Sequence, residues 1–305
     1  MILACGEALV DVLTSPRPNG APGPRVVPGG GAFNLAVALA RLGQPAGLVA
    51  GLSTDSHGDL LRGRARAEGV SIELCPLREG PTTRALVEEG EPPAYSFADQ
   101  GSAGRLLRPE DMPALPSSAT ALAFGGISLA AEPCGTAFEA LARREAGARV
   151  MLLDPNIRPP AVENPEDYRA RLWRMAALAD IVKLSDEDMA WLCPGDPAAG
   201  MRRLLECGAG LVVLTEGAAG ARGATAEVQT RVPAPVVPVA DTVGAGDAFA
   251  AGLLAWLRRE GWLSRAALPA LDRAALTAAL GFASRVAARS VTRPGADPPR
   301  LSELG

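Results

Sequence analysis

Residues 241–252 combine a glycine-rich turn, a carboxylate and the start of an apolar helix pattern. The small residues Gly244, Ala245 and Gly246 allow their backbone amides to point outward together, and the N-terminus of the following helix adds a positive dipole end. Such a turn suits an anion, above all a phosphate that gains charge during transfer. Asp247 lies in the first helical turn, where the dipole stabilises a carboxylate. An ordinary capped helix can have the same sequence, so this motif alone leaves both interpretations open.

Short apolar runs alternate with amphipathic helix patterns along most of the chain. The runs are continuously apolar, as expected for strands that are covered on both faces of a parallel sheet. They lie at residues 2–12, 46–52, 121–124, 150–154, 181–184 and 211–215. Helix patterns at residues 34–42 and 248–259 place apolar side chains on one side. The alternation predicts a three-layer α/β/α domain with a mostly parallel central sheet and right-handed crossovers.

Two segments depart from this alternation. Residues 14–28 are rich in Pro and Gly, and residues 82–100 alternate apolar and polar side chains around an expected hairpin turn at residues 90–93. Strands outside a βαβ pattern often project from the main sheet, so we expect a small sheet from about residues 12–28 and 82–100. No internal linker or repeat divides the chain, and we expect residues 1–305 to form one domain.

Composition excludes several kinds of site. The formal net charge of −4 over 305 residues argues against nucleic acid as the main partner. His57 is the single histidine and lies in a polar stretch typical of a loop, which excludes an HExxH zinc site and argues against a Ser-His-Asp triad. Lys183 is the single lysine and is followed by Leu-Ser, which excludes a Walker A loop.

Cysteine usage and hydropathy indicate the compartment. The 5 cysteines never fall in CxxC spacing, which predicts reduced thiols in a cytoplasmic protein. No apolar run approaches the ~18–20 residues that a membrane span needs. We therefore expect a cytoplasmic protein without a membrane partner.

Six segments of the chain resemble, in order, the signatures of the ribokinase (PfkB) family of carbohydrate kinases. They are residues 6–11, similar to the family's opening strand; 28–43, its GG…N segment; 154–159, the DPN-x-R element of its bacterial fructokinase branch; 183–188, the K-x-S-x-x-E of that branch; 241–247, the DTxGAGD signature; and 291–296, a segment beside the nucleotide. The resemblance implies a ribokinase-like fold in which the small sheet covers the sugar site as a lid. An exposed lid sheet tends to pair with the lid sheet of a second copy of the chain, so we expect a homodimer through the lid.

The resemblance also implies an ATP-dependent sugar kinase with Asp247 as general base beside the amides of residues 244–246. Asp11 and Asn34 suit the binding of sugar hydroxyls, because carboxylate and amide groups form directional hydrogen bonds. The other predicted substrate contacts are Gly30 and Gly31, which let the backbone approach the sugar, and Arg158, which either faces the active site or forms an ion pair on a loop.

The nucleotide contacts follow from the same resemblance. Thr215 and Gly217 match a T-x-G turn at the nucleotide, and Ser284 stands where an Asn often borders the adenine. Lys183 matches a position beside the phosphates. As a strand-end lysine its ammonium could instead reach water, so both interpretations stay open.

Metal contacts are implied as well. In the family a carboxylate of the K-x-S-x-x-E segment organises Mg²⁺ through water. Here that carboxylate is Asp188, one methylene shorter than Glu, and Glu187 could substitute for it. Relatives also bind a monovalent cation such as K⁺ near the loop at Asp241 and the segment at residues 291–296. Phe33 stands where the family usually has a small residue, so we expect a bulkier wall of the sugar pocket.

The implied substrate is D-fructose, phosphorylated at its 6-hydroxyl. The nearest alternative is 2-keto-3-deoxygluconate, which an arginine facing the sugar pocket would favour; Arg84, Arg105 and Arg158 are the candidates. Ribose and nucleosides come next. A non-catalytic sugar-binding relative is the alternative from another class, and the intact Asp247 argues against it.

Overall fold

The computed structural model describes residues 1–13, 25–88 and 94–305. Its strands are β1 (Ile2–Cys5), β2 (Leu9–Leu13), β3 (Arg25–Gly29), β4 (Ala46–Val49), β5 (Leu52–Ser53), β6 (Leu77–Arg78), β7 (Arg84–Glu88), β8 (Ala94–Ala98), β9 (Ala121–Gly125), β10 (Val150–Asp154), β11 (Ile181–Ser185), β12 (Leu211–Thr215), β13 (Ala221–Ala224) and β14 (Gln229–Val232). Its α-helices are α1 (Gly31–Arg41), α2 (Ser56–Ala67), α3 (Cys134–Glu145), α4 (Pro165–Ala176), α5 (Asp186–Leu192), α6 (Pro197–Glu206), α7 (Ala245–Arg259) and α8 (Arg273–Val291).

The central sheet has the strand order β14-β13-β12-β11-β10-β9-β1-β4. All pairings from β12 to β4 are parallel, and β13 and β14 add an antiparallel edge. Alternate residues of β1 enter different apolar clusters: Ile2 and Ala4 pack with α1, α2, α7 and α8, whereas Leu3 and Cys5 pack with α3 to α6. Helices therefore cover both faces of the sheet. The predicted three-layer α/β/α class with a mostly parallel sheet is confirmed.

The apolar run at residues 2–12 was predicted as one strand, and this prediction is wrong. The chain leaves the central sheet at Gly6, where a side chain would meet the carbonyl oxygen of Gly125 at 2.9 Å. Beyond this point β2 pairs with β3 and β7 instead. An apolar run does not show such an exit, because the backbone that leaves no room for a side chain at Gly6 belongs to a distant part of the chain. The exit carries Glu7 and Asp11 away from the sheet and over its carboxyl edge.

A second, four-stranded sheet has the order β3-β2-β7-β8. β3, β7 and β8 come from the two segments predicted to form a small sheet, whereas β2 comes mostly from the run at residues 2–12. Residues 14–24 and the expected turn at residues 90–93 lie outside the described residues. Leu9 and Ala85 pack on Ile127, which follows β9, with Phe97 half-buried beside them. These contacts hold the small sheet against the carboxyl edge of the central sheet. Among the described residues, no helix is both long and apolar enough to span a membrane.

Candidate active site

A cavity of about 220 Å³ opens between the two sheets, at the carboxyl ends of the parallel strands. All the residues predicted to act in catalysis or to bind substrate line this cavity: Asp11, Gly30, Gly31, Asn34, Arg158, Gly244, Ala245, Gly246 and Asp247. They come from β2, α1, the loop after β10 and the start of α7. The predicted nucleotide and metal residues lie outside its lining.

Asp247 is buried in the first turn of α7. Its Oδ2 accepts a hydrogen bond from Asn34 Nδ2 at 3.0 Å. Burial raises the pKa of Asp247 to about 7, and the hydrogen bond from Asn34 opposes that rise because it stabilises the charged form. A carboxylate that titrates near neutrality can take a proton from a hydroxyl at the working pH of most enzymes.

The turn before Asp247 is shaped by Gly244, whose φ of +73° favours glycine. The amide of Ala245 donates to the carbonyl oxygen of Thr242 at 3.2 Å and thereby closes the turn. The prediction that three successive amides are free for an anion is therefore wrong at Ala245. Gly244 and Gly246 remain at the N-terminus of a helix of 15 residues, whose dipole favours a negative group there.

Lys183 forms a buried ion pair beneath this turn. Its Nζ lies 2.8 Å from Asp154 Oδ2, and the two side chains are only 4% and 11% exposed. A Cβ at Gly246 would lie 3.1 Å from the same Nζ, so the ammonium contacts the glycine turn from below. Burial works against the charge of Lys183, but the contact with Asp154 and the nearby charges of Asp188 and Asp247 together outweigh it and raise the lysine's pKa. The interpretation of Lys183 as a strand-end lysine that reaches water is therefore wrong.

Both carboxylate oxygens of Asp188 accept hydrogen bonds from backbone amides. Its Oδ1 accepts from the amide of Ile157 at 2.7 Å and its Oδ2 accepts from the amide of Ser185 at 3.1 Å, in a capping box that begins α5. Glu187 is exposed in the same turn. No group of three metal-ligating side chains converges within the described ranges. The nearby Asp154 Oδ1 is buried without a hydrogen-bond partner among the described residues, so one oxygen is available to a cation or to its bound water.

Asp241 joins the loop before α7 to the C-terminal segment. Its Oδ1 accepts from the amide of Val243 at 3.0 Å, and its Oδ2 accepts from the amide of Gly295 at 2.8 Å. The amide of Asp241 also donates to the carbonyl oxygen of Val291. Two segments that the sequence predicted near a monovalent cation are thus in direct contact.

The predicted nucleotide contacts other than Lys183 lie at or beyond β12 and on α8. Thr215 is the last residue of β12, and its Oγ1 donates to the carbonyl oxygen of Leu184 at 3.2 Å. Gly217 follows in a short turn with a φ of +51°. Ser284 is buried on α8.

The three candidate arginines occupy different places. Arg105 is paired with Asp99 at 2.9 Å and with Glu163 at 2.5 Å, away from the cavity. Arg84 is exposed, whereas its neighbour Ala85 lines the cavity. Arg158 alone of the three lines the cavity.

Three further residues of the site were not assigned a role from the sequence. Asp154 pairs with Lys183, Asn156 lines the cavity, and Glu7 places its carboxylate at the cavity wall. Asp154 and Asn156 belong to the DPN segment, so that motif was a usable signal. Glu7 gave no signal of its own, because its partners are distant in the sequence.

A carboxylate that can deprotonate a hydroxyl lies directly beside a turn that suits a phosphate. The geometry is therefore that of a phosphotransferase with an alcohol as acceptor. Lys183 adds a fixed positive charge under the same turn.

Comparison with known proteins gives the family. The profile of the "pfkB family carbohydrate kinase" matches residues 2–303. A fructokinase from Rhizobium leguminosarum bv. trifolii is 44% identical over 278 residues, which are 90% of this chain and 85% of that protein. The chain belongs to the pfkB family of carbohydrate kinases and is an ATP-dependent phosphotransferase that acts on an alcohol group of a sugar.

Solved structures agree with this assignment. The fructokinase with bound ATP from Xylella fastidiosa superimposes with a TM-score of 0.91 at 32% identity, over 99% of this chain and 96% of the other. A double mutant of fructokinase from Vibrio cholerae O395, bound to fructose, ADP and potassium ion, gives 0.86 at 27% identity, over 99% and 96%. The ribokinase-like fold predicted from the sequence is confirmed.

Proposed function

We propose that this kinase transfers the γ-phosphoryl group of ATP to the 6-hydroxyl of D-fructose. The observation that carries the proposal is the chemistry of the cavity that contains Asp247. Among the residues that the structure describes, Glu7, Asp11 and Asp247 line it together with one arginine, Arg158. Three carboxylates against one cation favour a neutral polyol over an anionic sugar. The fructokinases among the relatives support the same substrate.

In the proposed reaction Asp11 binds sugar hydroxyls while Asp247 takes the proton of the acceptor hydroxyl. Asn34 orients Asp247 through the hydrogen bond between them. The N-terminus of α7, at Gly244 and Gly246, receives the charge that develops on the phosphoryl group. Lys183 stabilises the same charge from beneath Gly246.

Nucleotide and cations would lie on the α7 side of the site. We propose that Thr215, Gly217 and Ser284 contact ATP. Mg²⁺ would be held through water near Asp154 and Asp188, where it would neutralise phosphate charge. A monovalent cation such as K⁺ would stabilise the loop at Asp241, and the Vibrio neighbour has a potassium ion bound.

Residues 1–305 are proposed to form one domain, with the small sheet as a lid that keeps water from the transferred group.

Leu86 is 37% exposed on β7 while its neighbour Ala85 faces the cavity. We therefore propose that a second copy of the chain packs on the outer face of the lid. Light scattering of wild type and Leu86→Glu tests this, since a monomeric wild type would contradict it.

A cytoplasmic location is proposed because the reaction uses ATP and the 5 cysteines are free.

A second candidate substrate is 2-keto-3-deoxygluconate, because Arg158 lines the cavity and could pair with its carboxylate. ADP release is to be measured with fructose, 2-keto-3-deoxygluconate, ribose and nucleosides, and the phosphorylated position is to be identified by NMR. We expect kcat/KM for fructose to exceed the others by at least about ten-fold. A preference for the keto acid that Arg158→Met abolishes would overturn the proposal in favour of the second candidate.

A further inference from the structure

Glu7 is a buried carboxylate of the cavity wall to which neither chemistry nor cofactor binding has been assigned. It is 9% exposed and lines the cavity with Asp11, Asn34 and Asp247. It lies just after β1, where the chain leaves the central sheet. A carboxylate is costly to bury unless hydrogen bonds compensate it, so its contacts indicate what it does.

Both oxygens of Glu7 are occupied by hydrogen-bond donors. Oε1 accepts from the amide of Gly31 at 2.9 Å. Oε2 accepts from Ser128 Oγ at 3.0 Å and from the amide of Ser128 at 3.3 Å. The three donors belong to two separate elements, the first turn of α1 and the short turn after β9. Glu7 therefore links the first turn of α1 to the turn after β9, and both of these elements line the cavity.

The hydrogen bond from the amide of Gly31 to Glu7 Oε1 caps the N-terminus of α1. The N-cap of α1 is Gly30, which has no side chain to accept a hydrogen bond from the first amides. Glu7 supplies an acceptor and a negative charge from another part of the chain. The backbone oxygen of Glu7 also accepts from the amide of Phe33 at 3.3 Å, so a single residue holds two amides of the first turn of α1.

Glycines on both sides leave space for this carboxylate and for the backbone of Glu7. Gly30 has a φ of +100°, and a Cβ there would lie 2.7 Å from the backbone oxygen of Glu7. Gly126 has a φ of +78°, and a Cβ there would overlap the carboxylate oxygens. Side chains at these two positions would displace Glu7, so the backbone is shaped around it.

The position of Gly31 connects Glu7 to the reacting groups. A Cβ at Gly31 would lie 3.2 Å from Glu7 Oε1, 3.2 Å from Asn156 Nδ2 and 3.5 Å from Asp247 Oδ1. Any shift of the first turn of α1 would therefore move Gly31 and Asn34 relative to Asp247. None of the side-chain bonds of Glu7 reaches α7 or residues 291–296.

We propose that Glu7 is a positioning residue for the phosphoryl acceptor: it fixes the first turn of α1 against the turn at Ser128 so that the sugar hydroxyl meets Asp247. This inference rests on the proposed function. Because Glu7 holds the sugar side of the site and not the nucleotide side, its loss is expected to weaken sugar use selectively. The signature is a raised KM for sugar with an unchanged KM for ATP.

The first variant to test is Glu7→Gln, which keeps the size of the side chain. Its NH₂ group must face the amide of Gly31 or the donors of Ser128, so one hydrogen bond becomes a donor–donor contact. We expect the KM for fructose to rise about ten-fold or more, with the KM for ATP within about two-fold of wild type. The matched control is Glu145→Gln, at the last residue of α3. This carboxylate is only 7% exposed and is paired with Arg144 and Arg149. The control is expected to leave both KM values unchanged.

Ser128→Ala removes only the hydroxyl donor and keeps the rest of the arrangement. It is expected to raise the KM for fructose by about two- to five-fold, and it remains informative if Glu7→Gln does not fold. A fructose KM within two-fold of wild type in folded Glu7→Gln, or an equal rise in both KM values, would overturn the positioning role. Wild-type turnover is measured first: if wild type prefers another sugar, only the proposed substrate fails, and the variants are tested with that sugar.

Discussion

Asn34 Nδ2 donates a hydrogen bond to Asp247 Oδ2 at 3.0 Å, which joins the first turn of α1 to the first turn of α7. Asn34 was predicted to bind sugar, and that role stays a prediction. The structure adds that its amide touches the proposed base directly. The amide orients the carboxylate and leaves Oδ1 toward Gly31 and the cavity. One side chain therefore connects the proposed sugar side of the site with its phosphoryl side.

Replacing Asp247 by Asn removes the proposed base while keeping the side chain's shape. We expect kcat to fall by about 10²- to 10⁴-fold, because proton transfer from the acceptor hydroxyl loses its partner. The affinity for fructose, measured by calorimetry, should stay near that of wild type. Asp59→Asn, at an exposed carboxylate of α2, is the control. Wild-type turnover in Asp247→Asn would contradict the assignment.

The hydrogen bond from Asn34 should be visible in the pH profile. Burial raises the pKa of Asp247 to about 7, and this hydrogen bond opposes the rise. The base works deprotonated, so kcat/KM of wild type should fall as the pH drops through about 7. In Asn34→Leu the pKa of Asp247 rises further, and the acidic limb should move to higher pH. If the acidic limb of the Asn34→Leu profile stays at the wild-type pH or moves to a lower pH, the hydrogen bond does not stabilise the carboxylate.

The same raised pKa predicts a stability effect of Asp247→Asn. The ordinary pKa of an Asp is 3.8, so between pH 4 and pH 7 the folded state holds a proton that the unfolded state releases. The free energy of unfolding contributed by Asp247 therefore decreases as the pH rises through this window. The Tm of Asp247→Asn minus that of wild type should grow from pH 4 to pH 7 and then level off. Thermal scans of both proteins in matched buffers measure it, and a constant difference would contradict the argument.

The buried pair of Lys183 and Asp154 can be tested by a double-mutant cycle. Lys183→Met leaves Asp154 without its counter-charge and should lower the free energy of unfolding by roughly 3–5 kcal/mol. Adding Asp154→Leu removes the remaining charge and should restore much of that loss. Urea unfolding of the four proteins gives the coupling energy. Additive effects would mean that the two side chains do not depend on each other.

Gly244 offers a test of the phosphoryl-binding turn. In Gly244→Ala the new Cβ would lie 2.8 Å from the Cβ of Ala296, at a φ of +73°. We expect kcat to fall by about 10²-fold or more as the turn shifts, with sugar affinity retained. Gly261→Ala is a matched control, since Gly261 has a φ of +80° but open space around its Cβ. If both variants lose kcat to a similar extent, backbone strain alone explains the loss, and the phosphoryl-binding role of the turn is contradicted.

Much of the fold was predictable because the decisive signals are local. The continuous apolar runs of β9 to β12 indicated strands covered on both faces, and the glycine-rich turn at Gly244 indicated the start of α7. The exit of the chain at Gly6 was not predicted, because the close packing of Gly6 against the carbonyl oxygen of Gly125 joins segments that are distant in the sequence.

The site was predictable to the same extent. Residues inside motifs, such as Asp247 and Asn34, could be selected from the sequence and do line one cavity. Pairings between distant segments could not be predicted. Lys183 meets Asp154 across 29 residues, and Ser128 meets Glu7 across 121, and neither pair has a local pattern that predicts it.

The separation of Asn34 from Asp247 has a consequence for biosynthesis. The two residues are 213 positions apart, and Asn34 precedes Asp247 in the chain. A nascent chain exposes Asp11, Asn34 and Arg158 long before α7 leaves the ribosome. Asn34 therefore meets the proposed base only after 213 further residues have been made, and a chain truncated before α7 has the strands of the proposed sugar site but lacks the proposed base.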